Sequence, residues 1–269
     1  MIIKRELLKM SEIKKNRMFM HCPSFKESMG KSDQQNGVAH PSYDYHKTEA
    51  FIELPSFEEA VSHPSYVDLL DLRRSERAYT DECMTQEQLA FMLWSTQGIQ
   101  KTRGEGKIST FRPVPSGGAR HPFELYIAVK NVEGLEPGLY HYIPAKQIGE
   151  KKVVIERLGP LFDDYETKMN DLLVGQKWAV KAPVILFVSC IPYRAEWRYN
   201  HAAHRVMLID LGHVGQNMML SAAALGLGSC CLAAYDQQLC DEVFSFNGID
   251  EYTVYVLPMG KVKEASKEK

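Results

Sequence analysis

The run "APVILFVSC", Ala182 to Cys190, is almost continuously apolar. A short run of this kind reads as a central β-strand buried on both faces. The stretches around it supply neighbours. "FELYIAVK" alternates Phe123, Leu125, Ile127 and Val129 with polar or small residues, the period of a half-buried strand. "GLEPGLYHYIP" offers a turn and a second strand, "KKVVIERL" a third, and a helix over about Leu161 to Leu173 leads into the central run. The longest helix, roughly His204 to Leu225, follows it and is apolar around most of its circumference, which suits an interior or a subunit interface. A short strand after Gly228, a helix near Gln238 to Phe246 and the strand "YTVYVLPMG" complete the chain.

Upstream, "PSYVDLLDL" reads as a short helix running into the arginines of "RRSERAY". Thr85 with Gln88 three residues on has capping-box spacing, and that helix is expected to end near Gln97-Gly98. The stretch "KTRGEGKISTFRPVPSGGARHP" reads as a loop. Hairpin-like strands mixed with helices favour an α+β sandwich over a strict βαβ series. Residues 1–50 read as a polar, partly irregular N-terminal arm, mobile or surface-wrapping, and 51–269 as the folded domain.

The 269 residues carry 32 Lys and Arg against 34 Asp and Glu, a net charge of −2. No global field suits nucleic acid or an anionic membrane, so any anion must be met locally. The apolar runs are too short and interrupted to span a bilayer, and no signal-peptide pattern opens the chain, so a cytoplasmic protein is expected. The six cysteines form no CxxC pair, which suits reduced thiols. The adjacent Cys230 and Cys231 raise redox chemistry against the commoner explanation of buried small thiols.

Four stretches bear on chemistry. Arg73, Ser75 and Arg77 alternate, so an extended backbone projects them to one side, beside Arg74. Two guanidiniums and a hydroxyl suit a phosphate monoester; a solvated basic turn is the alternative. "PVPSGGARHP" places Pro115, Ser116, Gly117, Gly118 and Ala119 in a loop whose backbone can approach a flat ligand and offer N–H groups, or is a plain turn. In "LGLGSCC", Gly226 and Gly228 either leave backbone amides free beside Leu227 or form an ordinary helix cap. "PMGKVK" carries Lys261 and Lys263 past the last strand, where lysines are commonly just solvated. His201 and His204 lack a carboxylate or thiol at ligand spacing, so no metal site is expected. There is no P-loop, no GxGxxG opening a helix and no GxSxG elbow.

Taken in order, "RRSERAY", "PSGGARHP", "GHVGQNMMLSAAALGLGS" and "MGK" resemble the nitroreductase family of flavoproteins. "LWSTQGI", "PSGGARHPFELYIAV" and "NVEGLEPGLYHY" are similar to its SagB-type dehydrogenase branch, and the likeness runs from about Leu69 to Lys261. The resemblance implies an α+β fold with a central, mostly antiparallel sheet flanked by helices, in an intertwined homodimer. It implies FMN, with Arg73, Ser75, Arg77 and Lys261 on its phosphate and ribityl chain and Leu227 and Gly228 against the isoalloxazine. Pro115 to Ala119 would meet the FMN of the neighbouring subunit. NADH or NADPH is the implied electron donor, and a small-molecule or peptide-derived compound the substrate, with neither nucleic acid nor membrane as partner.

Two departures from that branch matter. Where its azoline oxidases associate a Lys-Tyr pair with catalysis, this chain reads Arg198-Tyr199, and Ala202 stands where an Arg is expected. Arginine stays protonated and cannot act as the base. Tyr199 is the catalytic candidate, as a proton donor, with an interface aromatic as the alternative. Azoline dehydrogenation in peptide modification and a non-catalytic flavin-binding protein are the rival functions.

Overall fold

The structure is a computed structural model and describes residue 19 and residues 24–62, 64–104 and 109–263. The start of the expected arm, Cys22 and the tip of the 101–111 segment lie outside the described residues.

Nine strands are described: Phe51–Leu54 (β1), Lys101–Arg103 (β2), Ser109–Phe111 (β3), Phe123–Val129 (β4), Gly138–Tyr142 (β5), Val153–Gly159 (β6), Val184–Cys190 (β7), Gly228–Ser229 (β8) and Tyr252–Gly260 (β9). Seven form one sheet in the order β1-β6-β5-β4-β7-β9-β8, with every neighbouring pair antiparallel. The run that anchors the sequence reading is β7, buried at every position, with β4 on one side and β9 on the other.

Helices cover both faces. Gln86–Gln97 (α3), Tyr193–Tyr199 (α6) and Ala203–Ala224 (α7) pack on the face carrying Leu125, Ile127, Leu186 and Val188. Tyr165–Leu172 (α4), Lys177–Val180 (α5) and Gln237–Phe244 (α8) cover the opposite face, which carries Tyr126, Ala128, Ile185 and Phe187. Two more helices, Phe25–Met29 (α1) and Tyr66–Leu72 (α2), lie before the sheet's core strands. The architecture is the expected helix-flanked antiparallel sheet.

Two expectations need correction. β4 is not half-buried: its polar alternate Glu124 is 2% exposed, because Arg194 of α6 pairs with it at 2.5 Å and His141 lies 3.4 Å away. Charge neutralisation lets a carboxylate occupy an interior position that alternation assigns to solvent. The 101–111 stretch is not a plain loop, since β2 and β3 pair antiparallel with Thr102 opposite Thr110. Strands of three residues are too short to show a period. Likewise the seven residues of α6 carry no periodic signal, and the helix is held instead by its ends: Ala195 and Glu196 N–H groups bond to Pro192 O at 3.0 Å.

Residues 32–48 run against the sheet and α6. The Gln34 N–H bonds to Trp197 O at 2.9 Å, Trp197 Nε1 donates to Val38 O at 2.9 Å, and Lys47 and Thr48 N–H groups both donate to the fully buried Glu156.

Candidate functional site

α2 is opened by a reciprocal Ser65 and Asp68 cap, and Arg73 closes it, its N–H bonding to Leu69 O at 3.0 Å. The chain then extends, as the alternation of Arg73, Ser75 and Arg77 predicts. Ser75 bridges in parallel to Ser229 of β8, and the Glu76 N–H donates to Ser229 O at 3.0 Å. Tyr79 bridges to Val262, while Thr80 N–H bonds Lys261 O and Lys263 N–H bonds Ala78 O, both at 2.9 Å. Residues 73–80 are thereby stitched to β8 and to the end of β9, which gathers Arg73, Arg74, Ser75, Arg77 and Lys261 at one edge of the sheet. Gly228 permits the close approach: a Cβ there would lie 2.2 Å from Val262 Cγ1 and 2.7 Å from Glu76 Cβ.

The charges at this edge are arranged for an anion. Among the described residues Arg73, Arg74 and Arg77 form no ion pair, so three guanidiniums stand unneutralised. The Arg77 guanidinium lies 5.4 Å over the Trp178 ring, whose other neighbour is the Tyr79 ring, stacked at 6.3 Å. Lys261 is paired with Glu82 at 2.7 Å, and that hydrogen bond raises the lysine and lowers the glutamate. Two unpaired guanidiniums and a serine hydroxyl are the kind of donor set that fits a phosphate group.

Of the two readings of the end of α7, free amides or an ordinary helix cap, the structure shows the cap. Gly226, at φ +67, bonds through its N–H to Ala223 O, and the Leu227 N–H bonds to Ala222 O at 2.9 Å, the two bonds of a Schellman cap. Capping satisfies the orphan carbonyls and consumes these donors. Leu227 is buried at 6% exposure and packs in the core beside α7.

The 115–119 loop lies toward the other end of α7. Gly118, Ala119 and His121 all have positive φ, at 60°, 53° and 45°. Left-handed backbone at two non-glycine residues is uncommon and marks a segment held by its surroundings. The holder is Asp210 of α7, which sequence reasoning missed. Its carboxylate accepts the Ser116 hydroxyl at 2.7 Å and the Gly117 N–H at 2.9 Å, and Ser116 Oγ accepts the His121 N–H at 2.9 Å. Burial raises the Asp210 pKa, against the lowering effect of these bonds. The signal available was a lone acid in the apolar stretch "VMLIDLGHVG". The Gly117 N–H is taken by Asp210 and the Ala119 N–H by Ser116 O, so of these three successive amides only Gly118's has no acceptor among the described residues.

Tyr199 belongs to this group. A Cβ on Gly118 would lie 2.6 Å from Tyr199 Oη and 2.6 Å from Arg198 Nε. The Arg73 edge and the glycine loop do not meet within one chain. Asp210 and Ala224 are 14 residues apart in α7, about 21 Å along a helix axis.

The Cys230 and Cys231 thiols are unbonded to each other, and burial pushes Cys231 up to about 12, which leaves it without thiolate character. Among the described residues no group of three His, Cys, Asp or Glu is placed to hold a metal, and no helix is long and apolar enough to cross a membrane.

Residues 70–261 match the nitroreductase family. A Methanocaldococcus jannaschii protein named as a nitroreductase is 31% identical over 210 residues, 78% of this chain and 96% of that one. The trifolitoxin-processing protein TfxB of Rhizobium leguminosarum is 34% identical over 126 residues, 43% of this chain and 30% of its own. The microcin B17-processing protein McbC of Escherichia coli is 29% identical over 132 residues, 47% and 46%. This chain thus spans under half the length of both processing proteins. In fold it is like a Ralstonia eutropha protein described as a nitroreductase, with a TM-score of 0.60 at 22% identity over 81% of this chain and 91% of that one. It is also like a chain of the E. coli microcin synthetase McbBCD complex with truncated pro-MccB17 bound, with a TM-score of 0.55 at 20% identity over 71% of each. The chain belongs to the nitroreductase family, and that family consists generally of oxidoreductases.

Proposed function

We propose that this protein is an FMN-dependent oxidoreductase working as a homodimer, carrying two electrons between NADH or NADPH and a small or peptide-derived substrate. The observation that supports it best is the stitching of residues 73–80 onto β8 and the end of β9, which sets unneutralised Arg73 and Arg77 beside Ser75 and Lys261. These residues would hold the FMN phosphate and ribityl chain, with Leu227 and Gly228 beside the ring. FMN, when bound, supplies the two-electron chemistry. The chain's own part is to bind, orient and exclude water.

A second copy accounts for what one chain leaves apart. The glycine loop and the arginine edge sit at opposite ends of α7, so a complete site takes its edge from one subunit and residues 115–119 from the other. α7 also keeps Leu208 and Ile209 more than half exposed in the single chain, and α2 buries none of its residues, with Tyr66, Val67 and Leu70 exposed. Apolar exposure at both places suits burial against a second copy.

Anaerobic titration of the FMN-loaded protein with NADH and NADPH tests the reading. Bleaching of the flavin band by either nucleotide, with re-oxidation by an added acceptor, is the expected result. Bound FMN that neither nucleotide reduces points to a non-catalytic flavin protein instead.

Azoline dehydrogenation is the second reading, favoured by the likeness to two peptide-processing proteins and by the Tyr199 hydroxyl, which has no hydrogen-bond partner among the described residues. Turnover of an azoline peptide that Tyr199→Phe abolishes supports it, and no turnover by the wild type rejects it.

A further inference from the structure

Two guanidiniums stand beside Gly118. Arg198 stands at the end of α6 with its Nε beside Gly118, and Arg120 donates from its own Nε to Gly118 O at 2.9 Å. The Arg120 guanidinium also lies 5.1 Å over the Trp197 ring. Burial first, and then the Arg198 charge, lowers Arg120 to about 10, so the two cations feel one another. Among the described residues Arg198 forms no ion pair. Its single hydrogen bond runs from Nη1 to Gln34 Oε1 at 3.1 Å, and its guanidinium lies 5.6 Å from the Tyr199 ring.

That one bond decides what remains. With Nη1 committed to Gln34, the Nε and Nη2 edge of the guanidinium is left, and its two parallel N–H groups match the two oxygens of a carboxylate. The Tyr199 hydroxyl packs against Gly118 on the same side as Arg198, and the Gly118 N–H has no acceptor among the described residues. Phe25 meets the Tyr199 ring edge-on at 5.9 Å, shielding this corner from one side. A planar anion there receives a bidentate fork and a phenolic donor. The flavin phosphate has its own proposed donors in Arg73, Ser75, Arg77 and Lys261.

We propose that Arg198 and Tyr199, converging on Gly118, form a subsite for a carboxylate carried by the substrate. The inference rests on the oxidoreductase reading above and narrows it to anionic substrates. Arginine in place of the branch's lysine then has a role: it binds a negative end permanently, where a lysine is able to exchange a proton. Gln34 becomes the residue that turns the fork.

Calorimetric titration of the full-length protein with benzoate and with benzamide tests the subsite whether or not turnover is found. Acetyl-glycyl-phenylalanine as acid and as amide separates a peptide C-terminus from a small free acid as the source of the carboxylate. Benzoate is expected to bind more tightly than benzamide. Arg198→Gln should reduce that preference about tenfold or more, the effect of losing one hydrogen bond to a charged group. Arg198→Lys should keep part of it, and Tyr199→Phe should lose a smaller part. In steady state with NADH, 4-nitrobenzoate should show a lower KM than 4-nitrobenzamide, and Arg198→Gln should equalise the two KM values. No preference for either acid in the wild type, or a preference that survives in a folded Arg198→Gln, overturns the subsite. Reduction of the neutral amide without acid preference leaves the oxidoreductase reading standing while this one falls. Acid binding that depends on Arg198 in a protein that holds no flavin does the reverse.

Discussion

The Asp210 carboxylate takes the Ser116 hydroxyl at 2.7 Å and the Gly117 N–H at 2.9 Å, so the long helix carries the glycine loop. Asp210→Ala leaves both donors without their acceptor. Hydrogen bonds to charged groups contribute about 1.5–3 kcal/mol each, so FMN affinity is expected to fall at least tenfold while far-UV circular dichroism stays native. Asp210→Asn, which keeps an acceptor oxygen, should lie between. FMN fluorescence quenching reads the affinity, and an unchanged dissociation constant in Asp210→Ala contradicts the loop's role at the cofactor.

Two glycine substitutions separate the two ends of α7. Gly118→Ala, at φ +60 and with a Cβ 2.6 Å from Arg198 and Tyr199 atoms, should cost about 1–3 kcal/mol of stability through backbone strain and displace the Arg198 side chain. Gly228→Ala forces a Cβ to 2.2 Å from Val262 Cγ1, and overpacking there should cost about 1–3 kcal/mol and loosen the 73–80 segment. Denaturant melts give the costs. Only Gly228→Ala should weaken binding of riboflavin 5′-phosphate relative to riboflavin, because the proposed phosphate donors stand at that end.

Lys261 spends its charge on Glu82 at 2.7 Å. Glu82→Gln releases it and should tighten FMN binding, with a steeper dependence on salt, whereas Arg73→Ala and Arg77→Ala should each weaken binding about tenfold or more. Equal FMN affinity in all three variants and the wild type excludes this edge as the phosphate site.

His141 lies between Glu156, at 2.9 Å, and Glu124, at 3.4 Å, with all three buried. Burial pushes the Glu156 pKa up, but its bonds from His141 and from the Lys47 and Thr48 N–H groups outweigh this and hold it at about 2. A folded pKa below the ordinary 4.5 contributes stability above pH 4.5 that is lost as pH falls toward 2. Burial opposes charging of His141, yet the two glutamates raise it above its ordinary 6.5, so its contribution is full below pH 6.5 and is lost as pH rises through the raised value. Stability from this cluster is therefore greatest between those limits. Glu156→Gln should cost about 3–5 kcal/mol at about pH 6, by leaving His141 poorly paired, and should flatten the acid limb. Urea midpoints across pH check both signs.

Much of the fold was legible because its signals are long or strongly periodic. β7, α3 with its Thr85 and Gln88 cap, and α7 all stand within a residue or two of their expected limits. What escaped was short or paired over long range. The hairpin of β2 and β3 and the helix α6 are too brief to show a period, and Glu124 is interior only because Arg194, 70 residues away, neutralises it. At the site, "RRSERAY" reads as an extended segment, and the backbone of 75–80 does extend along β8 and the end of β9. Asp210 and Gln34 act through partners distant in sequence, and no local pattern announces such a bond.

The visible absorption spectrum of the purified protein, with the chromophore released and identified after denaturation, tests the central claim most directly. FMN at close to one per subunit, lost in an Arg73→Ala, Arg77→Ala double variant, is the result this account predicts. A colourless protein that also fails to take up added FMN contradicts it and leaves the arginine edge a solvated basic turn.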